Sequence, residues 1–240
     1  MDVQTQTQPK KSADQHSCPF ATDKTGRPFV QCLQDQGHQP VAPVQSGSDT
    51  TMEPLSIAFC KSNITDLPAG QNDGMDAVIL DSGANGPVGA DMTNKGNRDG
   101  AKHLTDLACA TGPQRFVMFR LAGADQPKTF GKLAHDLKAS HAAGQHMMAD
   151  GQTSAILRPE GLRDSTCATD LLAGETVDAV ATASRADAAH VLADATTTGR
   201  FEGIAQEMQS AGLCDVRNDP ATANGLRFLT HLSSQKDFQS

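Results

Sequence analysis

The chain contains no tyrosine and no tryptophan; its aromatic side chains are nine phenylalanines among 240 residues. Any chemistry that needs a phenolic hydroxyl is excluded by that composition alone. Paired cysteines are missing as well: Cys18, Cys32, Cys60, Cys109, Cys167 and Cys214 are scattered with no CxxC, the pattern of reduced, buried thiols in place of a disulfide framework or a zinc site. Met1 to Ser17 holds no apolar run, so neither an export signal nor a membrane span is expected there, and residues 1–17 read as a disordered polar tail. Positive charge is in short supply too. With 20 basic against 28 acidic side chains and a net charge of −8, the chain is not expected to bind nucleic acid or anionic membranes, which need clustered Lys and Arg. A reduced chain with no leader is expected in the cytoplasm.

What is present is organised around Asn97 to Asp125, NRDGAKHLTDLACATGPQRFVMFRLAGAD. Ala101, Leu104, Leu107 and Ala108 recur at helical spacing, so one helix face is apolar. Gly112 and Pro113 end that helix, the first by tolerating a left-handed backbone and the second by refusing to continue. Phe116 to Phe119 then form an unbroken apolar run, which suits a strand covered on both faces as in a parallel sheet. A helix feeding a doubly buried strand is half of a βαβ crossover. The remainder, residues 18–240, is long enough for one α/β domain and shows no linker or fixed repeat.

Other segments repeat the alternation. A helix is expected from Thr25, a candidate cap, through Pro28, Phe29, Val30 and Leu33 to a stop at Gly37; Cys18 to Ala21 before it is a poor strand because of Pro19. Val41–Val44, Leu55–Cys60, Met75–Leu80 and Ser154–Arg158 read as strands. DSGANGPVGADMTNKGN, after Leu80, is a glycine-rich loop by composition. An amphipathic helix is expected from about Phe130 to Met148, with Phe130, Leu133, Leu137, Ala142 and Met147 inward. Another starts at a capping box of Ser184 and Asp187 and buries Ala188, Val191 and Leu192. Two more are expected around Phe201–Ser210 and Leu226–Leu232.

In order and at roughly family spacing, TDKTGRPFV, GMDAVI, NRDGAKHL, RFVMF, GAD, ILRPEGL and SRADAAHVL resemble the atypical short-chain dehydrogenases/reductases, the NAD(P)-binding group that includes NmrA-like regulators and biliverdin/flavin reductases. The resemblance spans about Cys18 to Glu202. It implies a Rossmann-like, doubly wound, mainly parallel sheet flanked by helices, with NAD or NADP beyond the carboxyl ends of the strands. It sets that dinucleotide against Ala21, Thr22, Lys24, Thr25 and Gly26 at the phosphate turn, Asn63 after the third strand, Ser82 and Gly83 past MDAVIL, and Arg120 just past RFVMF.

Departures from the family pattern carry their own consequences. The family loop G-A-T-G-x-T-G falls on Phe20 to Gly26, so one glycine of three remains, and Asp23 brings a carboxylate to the place where backbone should approach pyrophosphate. Two negative groups at ~4 Å repel by about 1 kcal/mol in water and about 4 at an effective dielectric near 20, a loss of roughly one to three decades in affinity. Lys24 offsets part of it. An arginine that would favour NADP is replaced by Gln45. The catalytic Ser position falls on Arg120 or Leu121, and the YxxxK stretch on Asp136 to Ser140, so the Tyr/Lys mechanism is absent and no catalytic residue is assigned.

Three histidines, His135, His141 and His146, crowd the segment where that dyad would sit. Histidine is the obvious substitute acid near neutral pH, although solvated helix-surface histidines are the ordinary alternative. Their spacing does not stack them as i, i+4 metal ligands would. Arg158 is placed to face the cleft or to pair with a nearby acid, and Arg185 to lie on a first helical turn. Three readings follow: a reductase in which nicotinamide supplies the hydride to a small-molecule acceptor, a non-catalytic nucleotide sensor working through a protein partner, or a Rossmann shell without a cofactor.

Overall fold

The computed structural model describes residues 15–17, 23–44, 58–61, 70, 72–80, 99–125, 134–149, 151, 153–164, 171–174, 182–210 and 228–230. In chain order the elements are β1 (Gln15–Ser17), α1 (Gly26–Asp35), β2 (Gln39–Val44), β3 (Ala58–Lys61), β4 (Ala77–Leu80), α2 (Ala101–Thr111), β5 (Arg115–Phe119), α3 (Ala134–Ala149), β6 (Ser154–Pro159), β7 (Gly161–Arg163), β8 (Leu171–Gly174), β9 (Thr182–Ser184), α4 (Arg185–Thr198), β10 (Ala205–Ser210) and β11 (Phe228–Thr230). Nine strands form one sheet in the order β11-β8-β10-β6-β5-β4-β1-β2-β3. All neighbouring pairs in it are parallel except β10 with β8. The run β3-β2-β1-β4-β5-β6 is the Rossmann order, with its reversal between β1 and β4.

Burial follows the pleat. On β4 and β5, Ala77, Ile79, Val117 and Phe119 join Phe29, Val30 and Leu33 of α1 and Ala188, Val191 and Leu192 of α4 in one core. Val78, Leu80, Phe116 and Met118 point the other way, into a second core with Leu104 and Ala108 of α2 and Met147 of α3. Two apolar faces explain the unbroken hydrophobic runs: a strand covered on both sides has no polar position to alternate. The helix of the opening stretch ends as expected, with Gly112 at φ 68° and ψ 42° and its N–H donated to the Ala108 carbonyl. Ser184 caps α4, accepting from the Asp187 N–H at 3.5 Å.

Several expectations are corrected. The sheet begins inside the polar stretch assigned to a tail: Gln15–Ser17 pairs with both β2 and β4, and Asp76 accepts the Gln15 N–H at 2.7 Å. Between two strands, backbone ladder bonds hold a segment that has no apolar side chain to announce it. Residues 205–210 and 228–230 are strands, not helices; Glu and Gln favour helix only weakly, and pairing with β6 and β8 overrides them. In α3 the buried apolar positions are Leu137, Ala139, Ala143 and Met147, with Ala142 half-buried. Phe130 and Leu133 lie outside the described residues. Cys32 is a buried free thiol, whereas Cys109 is exposed on the outer face of α2. Among the described residues, no helix is long and apolar enough to cross a membrane.

Candidate functional site

Because β1, β4, β5 and β6 run in one direction, the turn that follows β1 and the ends at Leu80, Phe119 and Pro159 open on the same edge of the sheet. Two groups of side chains stand there. The first surrounds the start of α1. Thr25 occupies the N-cap position, yet its backbone is already helical (φ −93°, ψ −38°) and its hydroxyl caps nothing. The cap comes from Asp23: one carboxylate oxygen accepts the N–H of Thr25 at 2.8 Å and that of Gly26 at 2.6 Å. Burial pushes this carboxyl above its ordinary value, against the opposing pull of the two N–H donors and of Arg185.

Around this cap the short parallel pair β7–β9 sets Arg163 beside Ser184, which brings Asp164 to the first turn of α4. Asp164 bridges Arg185, 2.8 Å to its Nε, and Lys24, 2.9 Å to its Nζ, and these hydrogen bonds draw its carboxyl below the ordinary value. Arg185 also donates from Nη1 to the Thr25 hydroxyl at 3.1 Å. It was expected as a surface residue of its helix, and it instead ties α4 to the start of α1. Lys24 points its charge at Asp164, not at the turn.

The second group is built on the loop after β5. Arg120 and Ala122 donate their backbone N–H groups to the carbonyls of Leu157 and Pro159, so the loop lies across the end of β6. Glu207, on β10, accepts the Gly123 N–H at 2.7 Å. Asp125 then pairs with Arg158 of β6 through one oxygen and lies 2.8 Å from His141 Nδ1 of α3 through the other. Burial acts to raise the Asp125 carboxyl, but the hydrogen bond and charge of Arg158, with His141, outweigh it and hold the group below its ordinary value. Arg120, Arg158, Glu160 and Glu207 are all buried at this edge. The Ser140 hydroxyl, at the place of the family lysine, is also buried and has no hydrogen-bond partner among the described residues.

Of the residues the resemblance pointed to, Lys24, Thr25 and Gly26 come together after β1, and Arg120 lies on the same edge after β5, with β4 between. Ala21, Thr22, Asn63, Ser82 and Gly83 lie outside the described residues, as do Phe20 and Gln45. Two of the three histidines have separate partners: His141 lies against Asp125, and His146 reaches Asp106 of α2 at 2.8 Å; the His135 side chain is outside the described residues. Asp125 and Glu207 were missed. The GAD stretch carried the first unmarked by any role, and nothing in AQEMQS distinguishes the second.

Comparison with known proteins agrees with this geometry. The family described as NAD(P)H-binding matches residues 21–198, and the chain belongs to it. An uncharacterized sugar epimerase, YhfK, from Bacillus subtilis (strain 168) is 34% identical over 92 residues, 38% of this chain and 43% of that protein, so the match spans less than half of that relative. Among solved structures, a provisionally named NAD-dependent epimerase/dehydratase from Bacillus halodurans superposes with a TM-score of 0.76 at 21% identity, covering 82% of this chain and 94% of the other. A provisionally named NADH-flavin reductase from Streptococcus pneumoniae TIGR4 reaches 0.67 at 18%, covering 82% and 100%. The anaerobilin reductase ChuY from Escherichia coli O157:H7 also reaches 0.67, at 14%, covering 84% and 98%. At such identities the structures establish the Rossmann-like fold and no more.

The family implies a dinucleotide, and the turn before α1 answers that only in part. Its backbone offers amides at a helix N-terminus, which suit a phosphate. Its side chain does not: the Asp23 carboxylate stands on two of those amides already.

Proposed function

We propose that the protein is an NAD(P)H-dependent reductase of a small-molecule acceptor, working without a tyrosine. Bound nicotinamide would supply the hydride, which relieves the protein of that part of the chemistry. The chain's own task is to orient the acceptor and hold a proton near it. The observation that carries this reading is the linked set Arg158–Asp125–His141 at the carboxyl edge. Asp125 stands 2.8 Å from Nδ1, which leaves Nε2 as the ring atom that would exchange a proton with the acceptor. Four buried charges at one sheet edge cost stability, and such arrangements gather at functional sites.

A second reading, a non-catalytic sensor of NAD(P)H that passes its state to a protein partner, is favoured by the absence of tyrosine and so of the family's Tyr/Lys pair. On either reading the setting is cytoplasmic. Titrating NADH and NADPH while following nicotinamide fluorescence tests both: binding below millimolar is expected for at least one. Turnover of bound cofactor with menadione as acceptor selects the reductase; binding without turnover selects the sensor; no binding of either cofactor removes both.

A further inference from the structure

We propose that Glu207 is a positioning residue for the reduction: by holding the loop after β5 it sets Asp125 against His141. This role rests on the reductase reading, and it falls to a residue beyond the family match, which ends at residue 198. Its ground is the way the loop is attached. Arg120 and Ala122 tie it to β6 by backbone bonds of 2.9 and 3.1 Å to the Leu157 and Pro159 carbonyls, contacts that do not depend on side chains. The next attachment does. Gly123, at φ 77°, donates its N–H to a Glu207 carboxylate oxygen at 2.7 Å, two residues before Asp125.

Glu207 also stands at the other limb of the same arrangement. In the parallel β10–β6 register it lies opposite Arg158, the partner of Asp125. Ala205 and Ile156 pack into the core beneath α2 and α3, so Glu207 and Arg158, each two residues further along its strand, project to that same face, where α3 carries His141. The Glu207 side chain is buried, and a charge kept out of water needs hydrogen bonds. The Gly123 N–H supplies a short, charge-assisted one. Shortening the side chain by one methylene withdraws the acceptor and keeps the charge; an amide of the same length does the reverse.

The experiment uses the full chain with NADH and menadione, and the variants Glu207→Asp, Glu207→Gln and Asp125→Asn. For Glu207→Asp, kcat should fall by about 10-fold or more with the NADH dissociation constant unchanged, since a small displacement of a reacting group is costly. Glu207→Gln, whose amide oxygen still reaches Gly123, should rescue all but about threefold of that loss. On the Asp125→Asn background, Glu207→Asp should cost less than about twofold, because a brace has nothing left to position once its target is gone. Amide hydrogen exchange supplies a readout without turnover: Gly123 should be protected in wild type and the Gln variant and exposed in the Asp variant. Wild-type kcat in Glu207→Asp, a Gln variant as slow as the Asp variant, or an equal loss on both backgrounds each overturns the role and leaves the reductase reading standing. NADH binding without turnover by wild type removes the reductase reading and the role together.

Discussion

Asp23 and Asp125 stand on the same edge of the sheet, one after β1 and the other after β5, and each accepts two interactions, yet their carboxyls shift in opposite directions. Asp23 takes neutral amide donors and is half-buried, so desolvation wins and its carboxyl rises. Asp125 is half-exposed and takes a guanidinium and an imidazole, so charge wins and its carboxyl falls. The number of partners is the same; what they carry is not. The start of α1 is thus capped by a carboxyl that burial pushes up, and the loop after β5 is held by one that its cationic partners pull down.

The comparison breaks most readily at His141. If Asp125 exists to orient that ring for proton exchange, His141→Gln should lower turnover with menadione by about 100-fold or more while leaving NADH affinity unchanged. A loss confined to affinity would move His141 to the cofactor's side of the edge. Next in size is Arg158→Met. Breaking a fully buried ion pair costs about 3–5 kcal/mol, and about 2 kcal/mol is expected here because Asp125 keeps contact with water, read as a lowered urea midpoint.

The smallest effect sharpens the contrast itself. Asp23 has a folded value above its unfolded one, so the stability it confers is complete below the unfolded value, near 3.9, and is lost as pH rises through the folded value. Asp125 runs the other way: its contribution is complete above the unfolded value and lost as pH falls through the lower folded value. Urea titrations of wild type, Asp23→Asn and Asp125→Asn should therefore give difference curves of opposite slope. Parallel slopes would mean that the two carboxylates share one environment.

Much of the frame was legible because its signals are local. The runs at Ala77–Leu80 and Phe116–Phe119 needed only apolar continuity, and α4 announced itself through Ser184 and Asp187. β1 and β10 were not legible, since ladder bonds to distant partners hold them and neither carries an apolar pattern. At the site the same division applies. Asp23 was visible as a misplaced charge within the phosphate turn, but its role as a cap needs the direction of two N–H bonds. Arg158 and Asp125 are 33 residues apart, and only the fold brings β6 beneath the loop after β5.

Glu207 has a consequence for anyone trimming this protein. The family match stops at residue 198, before β10 starts at Ala205, yet the Glu207 carboxylate on that strand anchors Gly123 in the loop that leads to Asp125. A fragment cut at the family boundary would keep β4, β5 and α4 but lose Phe201 and Met208 from the core beneath α1 and α4, together with the carboxylate that braces the loop leading to Asp125.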